Sequence, residues 1–218
     1  ASVRTGADTE AGRVGLAFTG VSANGWRDAT GHDQQKLSLT WDTAVGDWDV
    51  SSLVSAVNLN QETGGFVVGF EAYEQNRLRD GNPNPEAYRD VQAVRASSEW
   101  ARELDGGGRL VITPYARFSD MDFLQHFLPG QPLEQNNQWS TGGIGRLHGS
   151  NGDLEWTLGT QVEYASTWLK QNQVGPTVGS PFLVATRPPG THYDYEVESL
   201  VGALFYDLRW QAGDRLAV

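Results

Sequence analysis

Connections of two sizes take turns along this chain, and that alternation restricts its fold more than any other feature. TAVGD (43–47), LDGGG (104–108), SNGD (150–153) and QAGD (211–214) are tight turns built on Gly and Asp, residues that accept positive φ in hairpins. The connections between them, 20–34, 58–89, 119–138 and 165–193, are long. In an up-and-down antiparallel sheet this order puts every short turn at one end and every long loop at the other. A β-sandwich has no such strict alternation, because Greek-key connections cross between sheets. Loops of about 20–30 residues are also out of place in a compact soluble domain.

The segments between these connections read as strands. In LEWTLGTQVEY (154–164), Leu154, Trp156, Leu158, Val162 and Tyr164 fall on one face with Thr160 between them. Glu155, Thr157, Gly159, Gln161 and Glu163 fall on the other, a clean period of 2. RVGLAFT (13–19), KLSLTWD (36–42), DWDVSSLVSAV (47–57), DVQAVRASSEWAR (90–102), RLVITPYARF (109–118), WSTGGIGRLHG (139–149) and YEVESLVGALFYDLRW (195–210) follow the same pattern with varying clarity. No convincing helix interrupts them. Short turns at one end and long loops at the other are the layout of outer-membrane barrels, so the apolar face is expected to meet lipid. Trp41, Trp48, Trp100 and Trp210 lie next to short turns, where an interfacial aromatic girdle belongs. Glu155, Gln161, Glu163, Glu196 and Glu198 are expected to line a wet lumen, since a charge in the bilayer centre costs about 2–4 kcal/mol.

Bulk properties are compatible with this reading. No run of about 18 apolar residues exists, so no transmembrane helix is present, yet a barrel strand needs only about 10 alternating residues. The net charge of −11 argues against a basic nucleic-acid-binding face. Without cysteine there is neither disulfide nor thiolate site. ASVRTGADTEAG (1–12) has no charged n-region followed by an apolar h-region, and reads as a loop. Leu216-Ala217-Val218 starts a strand that does not finish, so the chain reads as cut from something longer.

Catalytic and metal patterns are absent from the sequence. There is no G-x-S-x-G elbow and no phosphate-binding glycine motif. His32, His126, His148 and His192 stand isolated, without the spacing of a zinc site. Asp120 and Asp122 form a D-x-D pair of the kind usually solvated or capping. Distinctive residues sit instead in the long loops. Asn82-Pro83-Asn84-Pro85 forces an extended or turn path, and apolar residues cluster around His126 and before His192, which suggests loops that pack on or bind something.

The runs NLNQETGGF (58–66), NPNPEAYRD (82–90), SDMDFLQHFLPGQPLEQN (119–136) and PPGTHYDY (188–195), with the strands at 48–50 and 113–117, resemble as a set the barrel region of TonB-dependent outer-membrane receptors of Gram-negative bacteria. The resemblance runs over roughly residues 25–210. It implies a barrel of about 22 strands filled by an N-terminal plug domain. Such a receptor takes up scarce solutes, typically iron–siderophore complexes, with energy delivered by the TonB complex. This chain would supply about eight or nine strands of such a barrel. The resemblance therefore implies an all-β, antiparallel, up-and-down, partial transmembrane β-barrel over 1–218, lacking the plug, in the outer membrane. Its partners would be outer-membrane lipid, an iron chelate or other small solute, and the plug and TonB complex through the parent protein.

Ligand contacts, on this reading, come from the external loops: Arg77, Arg79, Tyr88 and Arg89 in one, Phe123, His126 and Phe127 in another, His192 and Tyr193 in a third. Arginine would pair with carboxylate or catecholate oxygens, and the aromatics would stack on apolar parts of the chelate. Two rival readings differ in class. A soluble β-sandwich carbohydrate-binding module would fold in water without detergent. An outer-membrane acyl hydrolase would need a Ser–His pair on the lipid-facing wall near the outer rim, for which His148 is the one candidate near a strand.

Overall fold

The computed structural model describes residues 1–211. Nine strands form one sheet in sequence order, each antiparallel to the next. They are β1 (Ser2–Thr9), β2 (Gly12–Ala23), β3 (His32–Val45), β4 (Trp48–Glu62), β5 (Tyr88–Glu103), β6 (Arg109–Leu124), β7 (Leu133–Asn151), β8 (Leu154–Gln173) and β9 (Gly190–Trp210). Two short helices, α1 (Asn76–Asp80) and α2 (Pro181–Thr186), sit in long connections. The alternation of connections is as read: turns of two to five residues at one end, and 24–31, 63–87, 125–132 and 174–189 at the other. Gly46 and Gly152 take φ of +59° and +60° in two of the turns, the left-handed conformation a tight hairpin requires.

Two features of strand extent differ from the sequence reading. Residues 1–12 are not a loop: β1 pairs with β2 along its length, from Ser2↔Thr19 to Thr9↔Gly12. Small and hydroxylic residues at Thr5, Gly6 and Ala7 hid the alternation there. The strands also run much further into the long connections than their apolar segments suggested. β9 has 21 residues and β8 has 20, about twice what a membrane crossing needs. Their upper halves are polar and carry no period-2 signal. Residues 212–214 of the last turn and the strand start at 216–218 lie outside the described residues.

Register sorts every strand into two faces. On one face, β9 places Leu200, Leu204, Tyr206, Leu208 and Trp210 opposite Tyr164, Thr160, Leu158, Trp156 and Leu154 of β8. The same face continues through Leu147, Ile112, Trp100 and Val54, and Leu39 and Leu16. From Leu200 to Trp210 a tilted strand rises about 25 Å, the height of an outer-membrane apolar band. This face is bare: Leu204 is 88% exposed. The buried apolar side chains among the described residues are Val50, Ala72, Ala87, Ala101, Val111 and Ala165, none larger than valine. One sheet with no second layer and no core of large side chains is not a β-sandwich. Its apolar face requires an apolar medium.

Aromatic residues close the band at both ends. Near the short turns, Trp48 and Trp100 meet edge to face at 6.4 Å, with the Arg102 guanidinium 4.8 Å over Trp48. Trp41 Nε1 donates to the Ala11 carbonyl at 2.9 Å. At the other end Trp139 lies 5.4 Å from Tyr164, and Tyr164 donates to Glu198 at 2.7 Å. All four tryptophans named from the sequence lie on the apolar face.

The opposite face is polar over most of the wall, with Val197, Val201 and Phe205 of β9 as apolar exceptions. Glu155, Gln161 and Glu163 lie on it, as read. At mid-wall Glu163 pairs with Arg117 and accepts from Tyr115 at 2.5 Å, while Gln161 donates to Tyr115 at 3.1 Å. Glu196 and Glu198 are corrected: they share the face of Leu200 and Leu204, above the apolar band, opposite Trp168 and Ser166. Period 2 placed them with the wrong neighbours because the strand continues past the apolar band without changing face.

A candidate ligand-binding rim

The polar face and the long connections meet in a transverse row of residues at one rim. Cross-strand partners carry it from β4 to β9: Gln61↔Arg89, Arg89↔Phe123, Phe123↔Glu134, Glu134↔Gln171 and Gln171↔Tyr193. Five strand spacings make it about 24 Å wide. Arg89 donates to Gln61 Oε1 at 2.8 Å. Glu134 accepts from Tyr193 at 2.5 Å and from Gln125 at 2.7 Å. The rim lies outside the apolar band, and there burial first, then the bond to Glu134, raises the Tyr193 phenol above its ordinary range, so it stays a donor.

Of the nine residues named from the sequence, Arg89, Phe123 and Tyr193 join this row. They belong to strands rather than loops, as do Tyr88 and His192. Phe127 and His126 extend the row's aromatic cluster: Phe123 and Phe127 are 5.9 Å apart, His126 and Phe127 5.7 Å. Tyr88 faces the other way. It shares the apolar-side face with Glu62 and lines a hollow with Leu124, His126, Leu128 and Leu133 above the apolar band. Arg77 and Arg79 ride on α1, where Arg79 is tied to Asp80 at 2.8 Å. His192 sits at a bulge where the β8–β9 register shifts. His148, the hydrolase candidate, lies on the polar face beside the short turns, bonded to Thr157 at 2.8 Å, which removes it from a lipid-facing wall.

Sequence reasoning missed Gln61, Gln125, Glu134 and Gln171. A glutamine in a polar stretch carries no signature; the register brings Gln61, Glu134 and Gln171 into one row, and Gln125 joins it by hydrogen bonds to Glu134 and Gln171. It also missed the residues that shape the connections. Arg27 and Asn82 knit the 24–31 and 63–87 connections together. From the second of these project Phe66, Val68 and Phe70, each more than four-fifths exposed.

Glu86 ties the 63–87 and 125–132 connections. It accepts from Gln131 at 2.8 Å and Asn84 at 3.3 Å. Its carboxyl is held below the usual range, by its own backbone N–H first and then by these amides. A depressed folded value means the contribution is present above the ordinary carboxylate range and is lost as pH falls through the folded one. Acidification below about pH 4 is therefore expected to raise amide exchange in 125–132, and Glu86→Gln should remove that step. An unchanged acid profile in the variant would contradict the assignment.

No family profile matches the sequence, and no curated protein matches it. Solved structures do match its fold. The ferric citrate transporter FecA in its unliganded form superposes with a TM-score of 0.76 at 16% identity, covering 98% of this chain and 32% of that one. The copper transporter OprC gives 0.60 at 10%, covering 98% and 34%. The open form of the ferric-catecholate import receptor Fiu from E. coli K12 gives 0.62 at 11%, covering 98% and 42%. The fold is thus shared with a stretch of these transporter and import-receptor structures. The chain spans about a third of the length of these structures.

Proposed function

We propose that this chain forms part of the barrel wall of a TonB-dependent receptor in the outer membrane of a Gram-negative bacterium. The whole protein takes up a scarce solute of the iron–chelate kind, with a plug domain inside the barrel and energy from the TonB complex. The observation that carries this reading is the superposition on the ferric citrate transporter over 98% of the chain, together with a bare apolar band on one face and a largely polar wall on the other. Arg89, Phe123, Phe127 and Tyr193 contact the solute at the rim. Arg77 on α1 adds a cation from above; among the described residues it makes no ion pair.

The test is uptake by cells whose only such receptor is the intact protein. Ferric citrate, a ferric catecholate and cupric ion are supplied in turn as radiolabelled probes, with and without a working TonB complex. Accumulation of at least one probe that stops when TonB is removed is the expected result. Accumulation independent of TonB would leave a passive pore, and none at all with correctly inserted protein would remove iron-chelate transport.

A further inference from the structure

Five side chains at the rim form one relay. Tyr193 and Gln125 both donate to Glu134 Oε2. Gln171 Nε2 donates to Gln125 Oε1 at 2.6 Å, and Gln171 Oε1 lies 2.8 Å from His192 Nδ1. The other ring nitrogen, His192 Nε2, lies 3.0 Å from the Pro188 carbonyl oxygen. The relay thus runs from a carboxylate to a peptide carbonyl, two acceptors. With Glu134 ionised, both amides must point as found, and both ring nitrogens then face acceptors. A neutral imidazole has only one N–H. Turning both amides round satisfies a neutral His192, but then the Gln125 carbonyl meets Glu134, which must carry an O–H. Either complete arrangement holds one proton more than a carboxylate plus a neutral imidazole.

We propose that Glu134 and His192 share one proton through Gln125 and Gln171, and that this proton latches the β8–β9 connection to the rim at Pro188. The latch is complete at low pH and opens as pH rises and the shared proton leaves, because two lone pairs then face each other at one end of the relay. Opening is local. Buried Gln173 still anchors the connection through Gly175, Thr177 and the Arg187 carbonyl.

The other charged and titratable groups on the surrounding elements do not supply the missing donor. Lys170 of β8 pairs with Asp194 of β9 at 3.3 Å. Tyr193 donates to Glu134, and Arg89 is bonded to Gln61. His126 follows Gln125, and Arg187 precedes Pro188; neither side chain bonds His192 among the described residues.

Hydrogen exchange of the intact protein in detergent micelles tests this, read on residues 174–192 and corrected for intrinsic rates. Protection in the wild type should fall about fivefold from about pH 5.5 to 8.5, the scale of one net hydrogen bond across the imidazole range. Glu134→Gln should stay protected and flat across that range, because a carboxamide can donate to Gln125 and the reversed relay closes on neutral His192 without the extra proton. His192→Ala should be unprotected at the amides flanking Pro188 and Pro189 throughout, since proline itself has no N–H, and equally flat. A flat wild-type profile, or a fall in either variant like that of the wild type, would overturn the shared proton.

Discussion

Leu204→Arg should cost about 2–4 kcal/mol of folding free energy in a bilayer, whereas Gln161→Arg should change it by less than about 1 kcal/mol. The two positions are at one height in the wall: Leu204 pairs with Thr160, and Gln161 with Ala203. Only the face differs. Leu204 lies midway along the apolar band from Leu200 to Trp210, where a guanidinium has no water and the strand is too deep for it to snorkel cheaply. Gln161 lies on the polar face beside Tyr115 and Glu163, where a cation finds an acceptor. Denaturant titration of the intact protein folded into vesicles measures both. Equal costs, or a larger one at 161, would mean that the apolar face is not the lipid face and would remove the transmembrane reading.

The sequence made the lower wall legible and left the upper wall obscure, for one physical reason. In the proposed membrane-spanning wall each strand between the girdles separates lipid from water, so solvent itself imposes period 2. Leu154, Trp156 and Leu158 therefore announce their face. Above the band both faces meet water, and the selection for alternation ends. There Glu196 and Glu198 continue the apolar face of Leu200, and no pattern distinguishes them from lumen residues. The same cause turned 119–138 into an apparent 20-residue loop, when only 125–132 connects β6 to β7. At the far terminus β1 failed for a different reason: its outward residues Thr5 and Ala7 are too small to mark a face.

The rim was half legible. Arg89, Phe123 and Tyr193 stood out as unusual residue types in polar segments, and the register does bring them into one row. Their connection through Glu134 and Gln171 needed the strand pairing, since these residues are 37 positions apart by number (171 − 134) yet directly opposed. Tyr88 and Arg89 show the limit of the approach. Adjacent in sequence and read as one cluster, they point to opposite sides of the sheet because both belong to β5.

Arg27→Ala should release the largest external connection. Arg27 donates from Nη1 to the Gly65 carbonyl at 2.9 Å and from Nη2 and Nε to the Gly81 carbonyl at 2.7 and 3.1 Å. One planar guanidinium thus spans both ends of the segment that carries α1 with Arg77 and Arg79. Three charge-assisted bonds to half-buried carbonyls are lost together, and local opening should become easier by about 2–3 kcal/mol, a factor of about 30–150. The backbone pairs Glu62 N–Gly31 O and Thr63 N–Ala87 O keep the strand ends in place, so the barrel itself should not weaken. Arg27→Lys retains the charge but not the fork, and should recover only part of the protection. Gly65→Ala should loosen the same segment by another route, since a Cβ there would lie 2.1 Å from Asn84 Oδ1 and 2.9 Å from Pro83 Cγ. Trypsin cleavage after Arg77 and Arg79, timed against loss of the folded barrel, separates the two kinds of opening. If Arg27→Ala is cut no faster than the wild type, the guanidinium does not hold this connection. Cleavage in step with global unfolding would instead place Arg27 in the stability of the wall.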